Sequence, residues 1–258
     1  MLAEAGATRA EPGHGLLGTR PNHAFRDDLP ERPSHHGVLA RSAPPPCVRC
    51  APDAHWPVTT LILVRHGQTA WNAVERFRGR ADIPLNEVGL SQAQHTAERI
   101  SRQWKPTAVY CSSLSRARAT AEAVAQLCRL SVAVHPGLID IDYGRWQGMT
   151  PEEARLRYPH RTRRWYRGAR WIRPPGGEPL SAVKHRSLKA VLDIASKHQG
   201  QVVVMVGHTV VNRVILLGVL SVDLRHFWQL NQDPCAVNVI ELERGSFTVR
   251  SVNDTCHL

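Results

Sequence analysis

Leu61-Ile62-Leu63-Val64-Arg65-His66-Gly67-Gln68-Thr69 ends a four-residue apolar run in a permanent cation, an imidazole and a glycine. Apolar runs of this length closed by turn-forming residues make buried strands. At the carboxyl edge of such a strand Arg65 offers a planar fork suited to phosphate or carboxylate. His66 offers a nucleophile or base that titrates near neutrality. Gly67 lets a ligand approach the backbone closely. The same letters also fit a strand followed by a surface turn, so the choice depends on what stands at the other strand ends.

Outward from this stretch, strand and helix patterns alternate. Residues 59–64 read as the first strand and 107–111 as the second, with a helix over 90–104 carrying Leu90, Ala93, Ala97 and Ile100 at helical spacing. A helix over 114–129 buries Ala117, Ala121, Val124, Ala125 and Cys128, and 131–135 forms a short strand. Pro151 followed by Glu152 and Glu153 suits a helix start. A helix over 180–198 places Leu188, Val191, Leu192 and Ala195 on one face. A central strand over 201–206 precedes a helix over 210–219, and 236–243 with 247–252 form a hairpin across Arg244-Gly245-Ser246. Repeated β-α units predict an α/β fold, a three-layer α/β/α domain with a mostly parallel central sheet. Its ligand site lies outside the carboxyl ends of the strands.

The strand ends repeat one theme. The second strand runs into Ser112-Ser113-Leu114-Ser115-Arg116, and the later one into Gly207-His208-Thr209, each opening a helix. Two arginines, two histidines and two helix N-termini facing one crevice suit a phosphoryl group, whose charge spreads over several oxygens. No Gly-x-x-x-x-Gly-Lys-[Ser/Thr] phosphate loop and no Gly-x-Ser-x-Gly elbow is present. His66 is then the candidate nucleophile, forming a phosphohistidine that water cleaves. A leaving alkoxide needs a proton, and the loop Asp140-Ile141-Asp142 supplies two carboxyl candidates.

These residues carry a resemblance. Leu63-Val-Arg-His-Gly-Gln-Thr-Ala-Trp-Asn72, Arg78-Gly79-Arg80-Ala-Asp82-Ile-Pro84-Leu85 and Ser112-Ser113-Leu-Ser-Arg116-Ala-Arg-Ala-Thr120 resemble, in order, the signature blocks of the histidine phosphatase superfamily, the phosphoglycerate-mutase-like fold. Asp142-Tyr-Gly-Arg-Trp-Gln-Gly148, Pro175-Gly-Gly-Glu178 and Val206-Gly-His208 continue it. The resemblance implies His66 as the phosphorylated nucleophile, with Arg65, Arg116 and His208 completing the phosphate pocket. Asn72, Gly79 and Thr209 are implied as further phosphate-binding residues. The acid aligns with Asp140, where this branch more commonly has Glu. Asp is shorter by one methylene, so Asp142 or Glu178 stays open as an assistant, and Gln147 stands where the family often has Glu. The short interval before Gly177-Glu178 resembles the phosphatase branch, which implies a phosphomonoester hydrolase acting on small phosphorylated metabolites without metal or other cofactor. A cofactor-dependent phosphoglycerate mutase is the alternative, as is a catalytically weak phosphate- or nucleic-acid-binding member.

Composition narrows the rest. The chain has 258 residues, 42% apolar content and a formal net charge of +11, so its partners are expected to be anionic. Residues 1–57 are rich in Pro, Gly, His and Arg without periodicity, and are expected to be a disordered extension before a catalytic domain over 58–258. Cys47 and Cys50 form the one C-x-x-C, with His35, His36 and His55 nearby, but lack a second ligand pair, so no metal is expected. No secretory signal or membrane span is visible, which predicts a soluble, cytoplasmic protein. The arginines at 155, 157, 161, 163, 164, 167, 170 and 173 lie beside Trp165, Tyr166 and Trp171. This segment reads as a solvated basic face, a cap that selects substrate, or a nucleic-acid patch, the last ranked lowest. Trp146 and Trp228 are expected to pack rather than touch ligand, and a homodimer stays open.

Overall fold

A computed structural model describes residues 57–168 and 173–258. The predicted extension and the Cys47–Cys50 pair lie outside these residues, as do Arg170 and Trp171. Six strands form one sheet in the order β3-β2-β4-β1-β5-β6. They are β1 (Thr59–Arg65), β2 (Ala108–Cys111), β3 (Val132–Val134), β4 (Val202–Gly207), β5 (Val237–Glu243) and β6 (Ser246–Asp254). β3, β2, β4 and β1 run parallel, whereas β5 and β6 add an antiparallel edge. The helices are α1 (Ala70–Ala73), α2 (Glu87–Gln103), α3 (Ser115–Cys128), α4 (Pro151–Arg157), α5 (Pro159–Arg167), α6 (Leu180–Lys197) and α7 (Thr209–Val219).

Period-2 alternation in the central strands generates the three layers. Leu61 and Leu63 of β1, with Val203 and Met205 of β4, face α6 and α7. Ile62, Val64, Val204 and Val206 face α2 and α3 on the other side. Both strands are therefore apolar throughout, which is why they read as continuous runs. The α/β/α expectation holds.

Local differences have local causes. α2 starts three residues earlier than expected because the Asn86 side chain caps it, accepting from the Gly89 N–H at 2.8 Å. Leu90 and Leu192, placed on buried faces by spacing, are exposed. Sequence spacing suggested one helix start at Pro151; the structure has two helices that meet at Tyr158, with a proline opening each. Among the described residues, no helix is long and apolar enough to cross a membrane.

Gly67 corrects an expectation. A Cβ here would lie 2.5 Å from the Gly89 carbonyl oxygen, and one at Gly89 would lie 2.0 Å from the Gln68 carbonyl oxygen. The two glycines let the end of β1 touch the first turn of α2, so the room Gly67 leaves is taken by backbone and not by ligand. Backbone cannot swing aside as a flexible side chain can. Gly67→Ala is therefore expected to destabilise the fold by about 3 kcal/mol, read as a lowered urea midpoint; an unchanged midpoint would contradict this close packing.

Candidate active site

Register brings the key residues together. β1 and β4 pair in parallel with Arg65 opposite Gly207, so the following residues, His66 and His208, emerge side by side. The His66 N–H donates to the Gly207 carbonyl at 3.1 Å. Their ring centroids are 5.1 Å apart, and both side chains are fully buried. β2 pairs with β4 on its other side, with Cys111 opposite Val206, so Ser112 and the α3 start lie at the same edge.

The hydrogen bonds of His66 decide its chemistry. Nδ1 lies 2.7 Å from its neighbour's carbonyl oxygen, that of Gly67. A carbonyl only accepts, so Nδ1 carries the proton and the Nε2 lone pair is left free. Nε2 is buried with no hydrogen-bond partner. Burial, then His208, Arg116 and Arg65, hold the imidazole well below its ordinary pKa. The ring is neutral at physiological pH and presents an unprotonated nitrogen.

Arg116 is locked from behind. Its Nη1 donates to the Ala81 carbonyl and its Nη2 to the Gly79 carbonyl, both at 2.7 Å, and Nη2 lies 3.3 Å from Asp140 Oδ2. Gly79 has φ +50°, and a Cβ there would crowd Ile141, Gln147 and Tyr143. It holds Arg116 through its carbonyl, and does not line the adjoining cavity. Thr120 ties two strand ends together by accepting from the Gly67 N–H at 3.1 Å and donating to the Arg116 carbonyl at 2.9 Å.

Arg65 donates from Nη1 to the Gln232 carbonyl. Gln232 belongs to a buried carboxamide cluster: its Nε2 donates to Asn238 Oδ1 at 2.8 Å, and Asn238 Nδ2 donates to the Leu63 carbonyl at 2.9 Å. Burial and Arg78 push the Arg65 guanidinium down to about 9, so it remains charged at neutral pH. Asn72 Oδ1 accepts from the Thr69 N–H at 2.9 Å and from the Thr69 hydroxyl at 2.7 Å. The Asn72 oxygen is thereby committed, which leaves its Nδ2 hydrogens as the available donors.

Of the three carboxyl candidates, Asp140 alone lines the adjoining cavity. Its Oδ2 lies 3.8 Å from His208 Nδ1, and Oδ1 accepts from the Ile141 N–H at 2.9 Å. Burial pushes its pKa up, against the pull of Arg116 and Arg78. Asp142 Oδ1 accepts from the Gly144 N–H at 2.7 Å and closes a turn. Glu178 is bound by Arg186, with contacts of 2.8 and 3.0 Å. Arg186 also donates to the carbonyls of Gly137, Ile139 and Asp140, clamping the loop that carries Asp140.

One helix terminus differs from expectation. The Ser115 N–H at the start of α3 donates to Asp82 Oδ1 at 2.7 Å. A carboxylate of the protein itself already complements that end of the helix dipole. The start of α7 keeps its place at the cavity through Thr209, whose Oγ1 is buried without a hydrogen-bond partner.

The cavity has a volume of about 290 Å³. Arg65, Asn72, Asp140 and Thr209 line it, while the fully buried His66, Arg116 and His208 do not. Arg78, Arg213 and Asp233 also line it, and sequence reasoning missed all three as site residues. Arg78 is one of three arginines in Arg76-Phe77-Arg78-Gly79-Arg80, a loop without periodicity to show that Arg76 and Arg78 line the cavity and Arg80 does not. The signal for Arg213 was available, as a charge inside the apolar helix α7. Trp146 packs in the core as expected, but Trp228 also lines the cavity, so its assignment to packing alone is corrected. Tyr166 of α5 stacks on Trp228 at 5.0 Å and reaches the cavity, while Trp165 is fully buried. Among the described residues no cluster of His, Cys, Asp and Glu could hold a metal ion.

A family model described as histidine phosphatase superfamily (branch 1) matches residues 61–255. Phosphoserine phosphatase 1 of Hydrogenobacter thermophilus is 37% identical over 198 residues, covering 77% of this chain and 93% of its own. The metal-independent phosphoserine phosphatase of Arabidopsis thaliana is 36% identical over 203 residues, covering 78% and 84%. The solved structure of Bacillus stearothermophilus YhfR superposes with a TM-score of 0.74 at 32% identity, covering 77% of this chain and 98% of that one. Ordered motifs, matching fold and relatives of near-equal length agree: this chain belongs to branch 1 of the histidine phosphatase superfamily.

Proposed function

We propose that this chain hydrolyses small phosphomonoesters through a phosphohistidine on His66, with Asp140 as the proton donor. The observation that carries the reading is the free Nε2 of a neutral His66 beside Arg65, Arg116 and His208. In the first step the Nε2 lone pair forms a bond to phosphorus, the ester P–O bond breaks, and the leaving alkoxide takes the Asp140 proton. In the second step water attacks phosphorus and gives a proton to the Asp140 carboxylate. The N–P bond then breaks, and His66 returns neutral as phosphate leaves. Arg65, Arg116 and the donors of His208, Asn72 and Thr209 neutralise the equatorial oxygens in both steps.

Arg78 joins this ring of charge. It makes no side-chain hydrogen bond or ion pair among the described residues, its Nε is buried without a partner, and it acts electrostatically on His66, His208, Arg116 and Asp140. Arg78 lines the cavity without a hydrogen bond of its own, so its guanidinium is available to an entering phosphate.

Phosphoserine is the first substrate to test, since two relatives at 36–37% identity carry that activity in their names. The catalytic domain is assigned to 58–258. Neither step calls for a metal, so p-nitrophenyl phosphate hydrolysis is expected to proceed in excess EDTA. In H₂¹⁸O the released phosphate is expected to carry one labelled oxygen. Activity abolished by EDTA, or phosphate transfer to a second metabolite without label, would overturn the reading.

A further inference from the structure

Four charged side chains in the cavity are not used by phosphoryl transfer: the exposed Glu75, Arg76, which pairs with Glu153 at 3.4 Å, Arg213 of α7, and Asp233, which follows Gln232. The Arg213 guanidinium carbon lies 5.2 Å from the Phe227 ring centroid and 5.3 Å from that of Trp228. Two aromatic faces hold it by cation–π attraction without neutralising it. Its Nε is buried with no hydrogen-bond partner. Asp233 is held differently. Asn231 Nδ2 donates to Oδ1 at 2.9 Å and to Oδ2 at 3.0 Å, and Asn253 Nδ2 donates to Oδ2 at 2.7 Å. A carboxylate accepts about four hydrogen bonds, so capacity remains.

Neither side chain takes part in an ion pair among the described residues. Rings and carboxamides thus fix one cation and one carboxylate in a single cavity, with a salt bridge to neither. Both side chains are half-buried, so each charge stays accessible to a ligand that enters the cavity. Asp233 is near enough to Arg213 to offset part of the effect of burial on its guanidinium. Opposite charges lining one cavity match a zwitterion.

We propose that Arg213 and Asp233 recognise a zwitterionic leaving group, with an α-carboxylate on Arg213 and an α-ammonium on Asp233. The substrates are then free amino acids phosphorylated on a short side-chain hydroxyl. A cavity of about 290 Å³ has room for one such molecule. The inference rests on the phosphomonoesterase reading and assigns residues to its selectivity.

The test compares kcat/KM of the full chain on three phosphoesters. Phosphoethanolamine lacks only the carboxylate of phosphoserine, and 3-phosphoglycerate has a hydroxyl in place of the ammonium. Phosphoserine is expected to exceed each by at least about 30-fold, because a site built for a charged group leaves its own charge unpaired with the wrong analogue. Arg213→Met is expected to reduce the preference over phosphoethanolamine to within about three-fold, chiefly through KM, with Arg213→Lys retaining part of it. Asp233→Asn is expected to do the same to the preference over 3-phosphoglycerate. Wild-type ratios near one, with p-nitrophenyl phosphate still hydrolysed, would overturn the zwitterion site alone, and so would variants that keep both preferences. If a variant does not fold, the wild-type ratios decide. Failure to hydrolyse any of the phosphoesters, p-nitrophenyl phosphate included, would overturn the hydrolase reading and this one with it.

Discussion

Replacing His66 with alanine is expected to lower kcat by roughly 10⁴-fold or more on every phosphomonoester the protein turns over. The size of the effect follows from the covalent route. Without Nε2 no N–P bond forms, and water would have to attack phosphorus from a pocket shaped around an imidazole. The two-step path is lost together with its first acceptor. Rapid quenching of the wild-type enzyme with radiolabelled substrate should trap a phosphoprotein that is labile in acid and stable in alkali, and His66→Ala should show none. Residual activity within ten-fold of wild type, or label retained in His66→Ala, would remove His66 from the nucleophile role. His66 Nδ1 is bonded only to the adjacent carbonyl, and its centroid lies 5.1 Å from that of His208. Arg65, bonded to the Gln232 carbonyl, and Arg116, bonded to the Ala81 and Gly79 carbonyls, therefore keep their own anchors in the variant, and phosphate binding should persist while turnover fails.

Asp140→Asn separates proton donation from the rest of the pocket. Asn is nearly isosteric and can still accept from the Ile141 N–H, so the loop clamped by Arg186 stays in place. On an alkyl phosphate such as phosphoserine, whose alkoxide cannot leave unprotonated, kcat is expected to fall by about 10²–10³-fold. On p-nitrophenyl phosphate, whose phenolate leaves without a proton, the fall should stay below about ten-fold. The pH profile carries the same information with a definite sign. Burial raises the Asp140 pKa, so the protonated donor persists at higher pH than for an exposed carboxyl, and is lost as pH rises through that raised value. Wild-type kcat on alkyl phosphates should therefore decline on the alkaline side, and this limb should be missing in Asp140→Asn. His66 moves the opposite way. Its pKa is held well below the usual histidine range, so protonation of the nucleophile limits the rate only at pH well below that range. Equal losses on both classes of leaving group would assign Asp140 a structural role.

Asp140 also illustrates how a sequence and a fold divide the information. Compared with Glu it lacks a methylene, a deficit that left Asp142 and Glu178 open as alternatives. The structure answers by position, since the loop brings the Asp140 carboxylate to 3.3 Å from Arg116 and 3.8 Å from His208. Asp142 and Glu178 are meanwhile engaged in a turn and in the Arg186 clamp. Nothing in the spacing of the three carboxylates could express that difference, because it depends on how far the loop is pulled down by contacts 46 residues away in sequence.

The fold was legible because its signals are local. Continuous apolar strands, helix periodicity and the Arg-His, Ser-Arg and Gly-His strand ends each depend on neighbours in sequence, and parallel pairing then brings those ends to one edge. Helix limits moved by only a few residues, at caps such as Asn86. Gly67 was readable as special, but only the packed structure shows that the special requirement comes from the Gly89 backbone. Arg78, Arg213 and Asp233 were invisible as site residues for a related reason. They sit in a loop, an apolar helix and a terminal connection, and they meet only when α7, the Phe227–Trp228 turn and the end of β1 close around one cavity. Sequence alone therefore determined the family, the α/β layering and the candidate nucleophile, since a strand and its terminal motif are written contiguously. Tertiary structure decided which carboxyl group lines the pocket, which helix end remains available and which charges are left without a salt bridge, because pairing and burial belong to residues far apart in the chain.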